Sequence, residues 1–250
     1  MTRRMLSDEQ WDRVAPLLPG KMGDPGRSGK DNRLFFEAVL WLVRTGAPWR
    51  DLPEVFGCWN SVFRRFRRWA RKEVFERIFT ELSGDPDFEY ALIDGTIVRV
   101  HQHGTGAKGG TKNQAIGRSR GGLTTKIVAL VDALGTLARV VLLPGQRHDS
   151  VGVEPLITGV EFDALIADKA FDIDWRRAEL NERGAMAVIP PKTDRARPIP
   201  CDFAMYHWRH LIENFFCNLK QFRRIATRYD KTDSSFAAAI YRVGAVMALK

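Results

Sequence analysis

Cysteine is scarce in this chain of 250 residues, which contains three: Cys58, Cys201 and Cys217. They are odd in number, far apart and never in Cys-x-x-Cys spacing, so the sequence indicates neither a disulfide framework nor a cysteine-based zinc site. This composition is typical of a protein of the reducing cytoplasm, and we expect that location.

Long apolar runs are also missing. None approaches the length that a membrane-spanning helix needs, and the N-terminus lacks the apolar core of a signal peptide. Acidic residues are outnumbered, with 30 Asp and Glu against 39 Lys and Arg, which gives a formal charge of +9. This excess predicts a polyanionic partner, and nucleic acid is a better candidate than an anionic membrane surface.

The basic residues are concentrated in two stretches that contain no acid. One extends from Phe56 to Lys72 and the other from Thr96 to Lys126, each with six Lys or Arg residues. Stretches with charge of one sign are typical of surfaces that contact phosphates.

Residues 1–85 predict an all-α domain. Ser7 caps a short helix and Asp31 begins a strongly apolar one. A short helix over residues 49–56, a turn at Gly57 and a longer helix from Asn60 then form the layout of a helix-turn-helix.

On the last of these helices the arginines project away from the apolar side, which predicts that they contact DNA, mainly at phosphates. They are Arg64, Arg65, Arg67, Arg68 and Arg71. The alternative is a small helical bundle whose arginines are merely solvated.

Residues 86–250 predict a second, α/β domain. The apolar runs indicate strands over 88–100, 123–131, 137–143, 164–167 and 185–189, with helices between the later strands and a last helix over 206–220. Three antiparallel strands followed by helix-separated parallel ones predict a mixed sheet flanked by helices, the RNase H-like architecture. The Gly-rich basic segment 101–122 is expected to be a flexible loop.

Three carboxylates lie on elements that this fold would bring close together. Asp94 lies in the first strand, Asp168 ends the fourth, and Glu213 is on the charged face of the last helix. Clustered carboxylates repel unless a divalent cation lies among them, and oxygen ligands suit Mg²⁺ or Mn²⁺. Two such ions, about 4 Å apart, would support phosphodiester hydrolysis and strand transfer.

The last helix contains the series Tyr, two residues, Arg, three residues, Glu, six residues, Lys, at positions 206, 209, 213 and 220. Together with residues 49–53, 93–99, 117–126, 167–172 and 219–230, it is similar to bacterial insertion-sequence transposases of the IS5 family, within the IS4-like DDE transposases. The resemblance covers nearly the whole chain. Gly95 departs from it, because serine is more often expected there.

This resemblance implies specific roles. The metal-binding catalytic triad would be Asp94, Asp168 and Glu213, and the residues that position the transposon end would be Tyr206, Arg209 and Lys220. The partners implied are double-stranded DNA, both the terminal inverted repeats and the target, and further copies of the chain, most simply as a dimer. The place of action would be the bacterial cytoplasm, at the nucleoid.

The sequence also makes predictions for residues outside the triad and its helix. His148 and Asp149 are expected to form a hydrogen-bonded turn beside the site rather than to bind metal, and Trp208 and Phe216 are expected in the core. Further phosphate contacts are predicted in the basic loop, although a mobile loop without contacts is a close alternative. These residues are Lys108, Lys112, Arg118 and Arg120.

The sequence leaves two rival functions. One is an RNase H-like metal-dependent nuclease that hydrolyses DNA without strand transfer. The other is a non-catalytic, domesticated DNA-binding protein, against which the complete triad argues, because a binding protein gains nothing from three mutually repelling acids.

Overall fold

The computed structural model describes residues 5–21, 23–24, 29–197 and 199–249. The helices are α1 (Asp8–Val14), α2 (Asn32–Thr45), α3 (Trp59–Arg71), α4 (Val74–Ser83), α5 (Val153–Ile157), α6 (Asp174–Glu182), α7 (Phe203–Tyr206), α8 (His210–Lys220), α9 (Arg223–Ala226) and α10 (Asp233–Met247). The strands are β1 (Tyr90–Val100), β2 (Gly117–Ser119), β3 (Gly122–Val131), β4 (Leu137–Pro144), β5 (Ala164–Ala167), β6 (Met186–Val188) and β7 (Thr227–Arg228). Among the residues described, no helix is both long and apolar enough to cross a bilayer.

The chain packs as two units. One comprises Met1–Gly84, Val100–Gly110 and Leu219–Lys250, and the other comprises Asp85–Arg99 and Thr111–Asn218. The first division falls next to the boundary predicted at residue 85. The segment from Leu219, which the sequence analysis assigns to the α/β domain, packs with the helical unit instead, because α10 lies against α4 and α3.

The N-terminal helices begin and end at local signals. Ser7 and Gln10 form a capping box at the start of α1, and the Asp31 side chain accepts the Leu34 N–H at the start of α2. Helix α2 ends at Gly46, whose φ of 73° is left-handed.

The short helix predicted over residues 49–56 is wrong. The structure has two 3₁₀ turns there, Trp49–Asp51 and Glu54–Phe56. Pro53 separates them, because proline has no N–H for an α-helical hydrogen bond and disfavours α geometry at the residue before it. The element that precedes α3 is therefore shorter and tighter than a standard helix-turn-helix partner.

Glu73 carries backbone strain between α3 and α4. Its φ is 54°, the one left-handed value for a non-glycine residue in the part of the chain described. Since this conformation costs an L-residue roughly 1 kcal/mol and glycine almost nothing, we expect Glu73→Gly to raise the free energy of unfolding by about 1 kcal/mol, measured in urea. Glu76→Gly, within the first turn of α4, should lower it by about the same amount; a loss in both variants would contradict the assignment.

Buried arginines hold the C-terminal segment in the helical unit. Arg224 binds the Asp230 carboxylate through two hydrogen bonds of 3.1 Å and donates to the Ala47 carbonyl at 3.2 Å. Arg228 is fully buried, donates to Asp233 at 2.7 Å and packs over the Phe236 ring. The motif over 219–230 that resembles the transposase family thus has a structural explanation.

The sheet has the strand order expected of the RNase H-like architecture. Strand β1 pairs antiparallel with β3, and β3 pairs antiparallel with β4. On its other side β1 pairs parallel with β5, which in turn pairs parallel with β6. The prediction of a mixed sheet flanked by helices is confirmed.

One face of this sheet carries a hydrophobic core formed with α5 and α6. Ile93, Val128, Leu130 and Leu165 belong to this core. Because successive side chains of a strand point to opposite faces, Ile93 and Gly95 face this core and Asp94 faces the other side.

The prediction of a flexible loop over residues 101–122 is wrong in part. Residues 102–105 form a 3₁₀ turn, and Gly117–Ser119 pairs antiparallel with the start of β3. The Thr125 hydroxyl also donates to the Ala115 carbonyl at 2.5 Å, which ties residue 115 to the sheet.

Candidate active site

The pairing of β1 with β5 brings two predicted aspartates side by side. The parallel register pairs Ile93 with Ala167, and Asp94 and Asp168 are the next residues along each chain. Neighbouring strands are about 4.8 Å apart, so these two aspartates lie at one position on the sheet. Each is half-buried, so their carboxylates have limited access to water.

Asp168 also shapes the chain that follows it. Its side chain accepts the Ala170 N–H at 2.7 Å and so caps a 3₁₀ turn over Lys169–Phe171. The carboxylate is therefore held at the end of β5 by local backbone geometry.

Glu213 lies on α8, but the helix before it is not continuous as predicted. Helix α7 ends at Tyr206, a 3₁₀ turn covers His207–Arg209, and α8 begins at His210. The change of helical pitch rotates residues 206 and 209 relative to Glu213. Trp208 is 46% exposed, so its prediction as a core residue is wrong, whereas Phe216 is buried as predicted.

Arg209 connects the sheet to this helix. Its Nη2 binds the Asp94 carboxylate at 2.6 Å, and its Nη1 donates to Glu213. One guanidinium thus bridges two of the three predicted catalytic acids. Among the described residues Arg209 Nε has no hydrogen-bond partner.

The charges at this position shift each other's pKa values. Burial raises the pKa of Asp94, and the nearby Asp168 adds to this rise while Arg209 opposes it. Burial also raises the pKa of Tyr206, to which Asp168 and Asp94 contribute. For Arg209, burial lowers the pKa, but Asp94, Tyr206, Glu213 and Asp168 outweigh it and raise the value. Five predicted site residues therefore interact electrostatically.

The donor set fits a hard divalent cation in kind, because it consists of carboxylate oxygens. These carboxylates do not together surround one ion. Among the described residues, no group of three His, Cys, Asp or Glu side chains could hold a metal ion. The charge of Arg209 lies between Asp94 and Glu213 instead.

The predicted DNA-contacting arginines of α3 do not all face solvent. Four follow the helical period i, i+3, i+4, i+7 along one exposed face: Arg64, Arg67, Arg68 and Arg71. Arg65 is half-buried, stacks at 4.2 Å over Phe35 and 4.6 Å over Trp69, and hydrogen-bonds Asn32. These contacts give Arg65 a packing role on α3.

The other predicted DNA contacts are exposed side chains at separate places in the chain. Lys220 is the last residue of α8, and Lys108 follows the 3₁₀ turn over 102–105. The remaining ones lie in or beside the β2–β3 hairpin and are Lys112, Arg118 and Arg120.

His148 and Asp149 form a turn on the opposite face of the sheet from Asp94. The His148 ring accepts the Ser150 N–H at 3.3 Å. Asp149 pairs with Lys126 of β3 at 2.6 Å, and Lys126 also donates to the Arg147 carbonyl at 2.6 Å. Lys126 was not predicted as part of the site, although a lysine inside an apolar strand is a visible signal.

Gly95 leaves room for this turn. A Cβ atom at position 95 would lie 2.8 Å from Asp149 Oδ1, closer than side chains normally approach. The glycine next to Asp94 therefore lets the Asp149 carboxylate approach β1 from behind.

A buried ion-pair network anchors the segment after β6, and the sequence analysis missed it as well. The fully buried Asp172 carboxylate accepts hydrogen bonds from Arg177 Nε and Arg195 Nε, each at 2.6 Å, and from the Lys192 N–H at 2.8 Å. Burial raises the pKa of Asp172, but the bonds from Arg195, Lys192 and Arg177 outweigh it and hold the pKa far below its usual range. Asp172 therefore has a structural role, with its carboxylate fully engaged in this network.

Three models of known protein families match this chain. A family model described as "Putative transposase of IS4/5 family" matches residues 6–79, and two models described as "Transposase DDE domain" match residues 86–199 and 165–250. A curated relative from Brucella ovis, "Putative transposase for insertion sequence element IS6501", is 35% identical over 130 residues, which are 51% of this chain and 100% of the relative. The chain belongs to the IS4/IS5-like DDE transposases.

Two further relatives of this transposase have no assigned activity in their names. An "Uncharacterized protein y4sN" from Sinorhizobium fredii is 44% identical over 105 residues, 41% of this chain and 82% of the relative. The "Insertion element IS402 uncharacterized 16.2 kDa protein" from Burkholderia cepacia is 33% identical over 112 residues, 40% of this chain and 76% of the relative. A solved structure, "Crystal structure of a pre-cleavage Mos1 transpososome", aligns with a TM-score of 0.25 and 11% identity, covering 91% of this chain and 82% of that chain.

Membership makes this protein an enzyme of the DDE type, and dependence on a divalent metal is typical of the family.

Proposed function

We propose that this transposase cleaves DNA at the ends of an insertion sequence and joins them to target DNA, with Asp94, Asp168 and Glu213 as its metal ligands. The observation that carries the proposal is the β1–β5 register, which places Asp94 beside Asp168, together with the bridge that Arg209 makes from Asp94 to Glu213.

Each site residue has a proposed task. The three carboxylates would hold Mg²⁺ or Mn²⁺, most simply two ions. When bound, such ions activate the attacking oxygen at phosphorus and stabilise the leaving oxygen. Tyr206, Arg209 and Lys220 would orient the backbone of the transposon end, Arg209 through a bidentate fork and Lys220 as a point charge.

The turn behind β1 supports the catalytic strand in this proposal. Asp149 lies against Gly95, one residue from Asp94, and Lys126 neutralises its charge. His148 caps the same turn. These residues would fix the position of Asp94 without touching DNA or metal.

The helical unit supplies the proposed DNA-binding face. The four exposed arginines of α3 would contact phosphates of double-stranded DNA, with Lys108, Lys112, Arg118 and Arg120 as further contacts. Cleavage of two element ends requires a synaptic assembly, for which a dimer of this chain is the simplest form. The protein would act at the bacterial nucleoid.

The roles of two neighbouring arginines on α3 can be separated. We expect Arg67→Gln to weaken DNA binding for all sequences and to reduce the slope of log affinity against log salt by about 1, because a phosphate contact releases about one counterion. Fluorescence anisotropy with a labelled duplex over a KCl series measures both quantities.

Arg65→Gln is the matched control on the same helix. It should leave the salt slope unchanged but lower the midpoint of thermal unfolding, because Arg65 packs on Phe35 and Trp69. A slope reduced by Arg65→Gln and unaffected by Arg67→Gln would reverse our assignment of the DNA-binding face.

Strand transfer distinguishes this proposal from a nuclease of the same fold. The purified protein, Mg²⁺ and a labelled element end should yield products in which the labelled 3′-hydroxyl is joined to target DNA. Cut ends without joined products would favour the hydrolytic nuclease, and DNA binding without any cutting would favour the non-catalytic DNA-binding protein.

A further inference from the structure

In the protein without metal or DNA, Arg209 already places a positive charge between two acidic side chains. Its two Nη atoms bind carboxylates from two different elements, Asp94 on β1 and Glu213 on α8. The Arg209 and Asp94 side chains are only 21% and 15% exposed, so water screens this contact little. One side chain thus neutralises part of a cluster of acids that would otherwise repel.

The guanidinium and a divalent ion would compete for the same carboxylates. Arg209 Nη2 already occupies one lone pair of Asp94 Oδ2, at 2.6 Å, so an ion bound by Asp94 and Glu213 would have to share these carboxylates with it. A guanidinium and a divalent ion held a few ångströms apart would also repel.

The surroundings of the Arg209 side chain would allow it to leave the two carboxylates. Among the described residues its Nε has no hydrogen-bond partner although it is buried, so the two carboxylates supply the hydrogen bonds of the guanidinium. Glu213, at one end of the bridge, is half exposed, with 53% of its side chain accessible. The bridge can therefore open at its outer end without disturbing the core.

We propose that Arg209 is an internal counter-cation, which holds Asp94 and Glu213 together in the free protein and must leave them before the metal binds. This inference rests on the proposed role of Asp94 and Glu213 as metal ligands. Once released, Arg209 is available to a DNA phosphate, so that loading of metal and binding of the element end favour each other.

Metal affinity of the full chain without DNA tests the inference. Free Mn²⁺ measured by electron paramagnetic resonance gives the dissociation constant. We expect Arg209→Gln to bind Mn²⁺ at least about tenfold more tightly than the unmodified protein, because the competing cation is gone. Arg209→Lys, which keeps the charge but cannot bridge two carboxylates, should fall between them.

Thermal unfolding gives a second readout. In EDTA, Arg209→Gln should unfold at a lower temperature than the unmodified protein, because Asp94 and Glu213 lose their shared partner. Saturating Mn²⁺ should remove most of this difference. Arg183→Gln is the control, since Arg183, the residue that follows α6, pairs with Glu179 of α6 at the same spacing of four residues in the reverse order; it should leave Mn²⁺ affinity unchanged.

The outcomes separate this inference from the proposed function. If Asp94→Asn and Glu213→Gln abolish Mn²⁺ binding while Arg209→Gln binds no more tightly than the unmodified protein, the metal site stands and the counter-cation role is wrong. If neither carboxylate variant weakens Mn²⁺ binding, the metal site itself is wrong and the inference with it. Circular dichroism of each variant shows that it is folded.

Discussion

Glu213→Gln is expected to lower DNA cleavage by at least about 10³-fold. The substitution keeps the size of the side chain and removes the charge that would hold the ion, which is worth several kcal/mol of transition-state stabilisation. Binding of a DNA duplex should change little, because the arginines of α3 are untouched. Cleavage is measured under single-turnover conditions with a labelled element end and Mg²⁺.

A suitable control for this prediction is the neighbouring exposed residue on the same helix, Asn214. Asn214→Asp adds charge near the site without altering the triad, so cleavage should remain within a few-fold of the unmodified protein. Unchanged cleavage by Glu213→Gln would remove Glu213 from the catalytic set, while loss of DNA binding in the same variant would indicate a role in recognition instead.

Asp172→Ala is expected to destabilise the protein by about 3 kcal/mol or more. Removing one partner of a buried ion pair leaves the other charges uncompensated, and here Arg177 and Arg195 both lose the carboxylate they bind. Equilibrium unfolding in urea, followed by tryptophan fluorescence, measures the change.

Asp174→Ala is the matched control, because Asp174 also pairs with Arg195, at 2.5 Å, but its side chain is 87% exposed. An exposed pair contributes at most about 1 kcal/mol, so this variant should be close to the unmodified protein. Equal losses in the two variants would contradict the buried network.

The Asp172 network also predicts a pH dependence. The pKa of Asp172 is lowered by folding, so its stabilisation is complete above the pKa of an unfolded aspartate, about 3.9, and is lost as the pH falls from there. Asp172→Asn cannot gain this charge. The difference in unfolding free energy between the unmodified protein and Asp172→Asn should therefore be constant above about pH 5 and shrink at more acidic pH.

The sequence was sufficient for the order of the five predicted strands, which are β1, β3, β4, β5 and β6, and for the two strands near Asp94 and Asp168. Its apolar runs have the period of strands near Asp94 and Asp168, and alternation with helices fixes which strands can be parallel. The β1–β5 pairing followed from that order. The predictions of a short helix over 49–56 and of a continuous helix over 206–220 were wrong, because Pro53 divides the first into two 3₁₀ turns and a 3₁₀ turn over 207–209 interrupts the second.

The direction of individual charged side chains was less predictable. Arg65 belongs to the same basic run as Arg64 and Arg67, yet it packs on Phe35 and Trp69. Asp172 lies in the short connection before α6, yet it is the centre of a buried network with residues 177 and 195. Spacing along one helix or loop does not reveal partners that arrive from elsewhere in the chain.

By itself, then, the sequence determined which strands carry Asp94 and Asp168 and that a helix carries Glu213, because periodicity and element order are local properties. Only the tertiary structure decided that Arg209 takes the place between Asp94 and Glu213, and that Lys126 and Asp149 support β1 from behind. The physical reason is that charge compensation depends on distance in space, and a half-buried carboxylate pairs with the cation that folding places close to it.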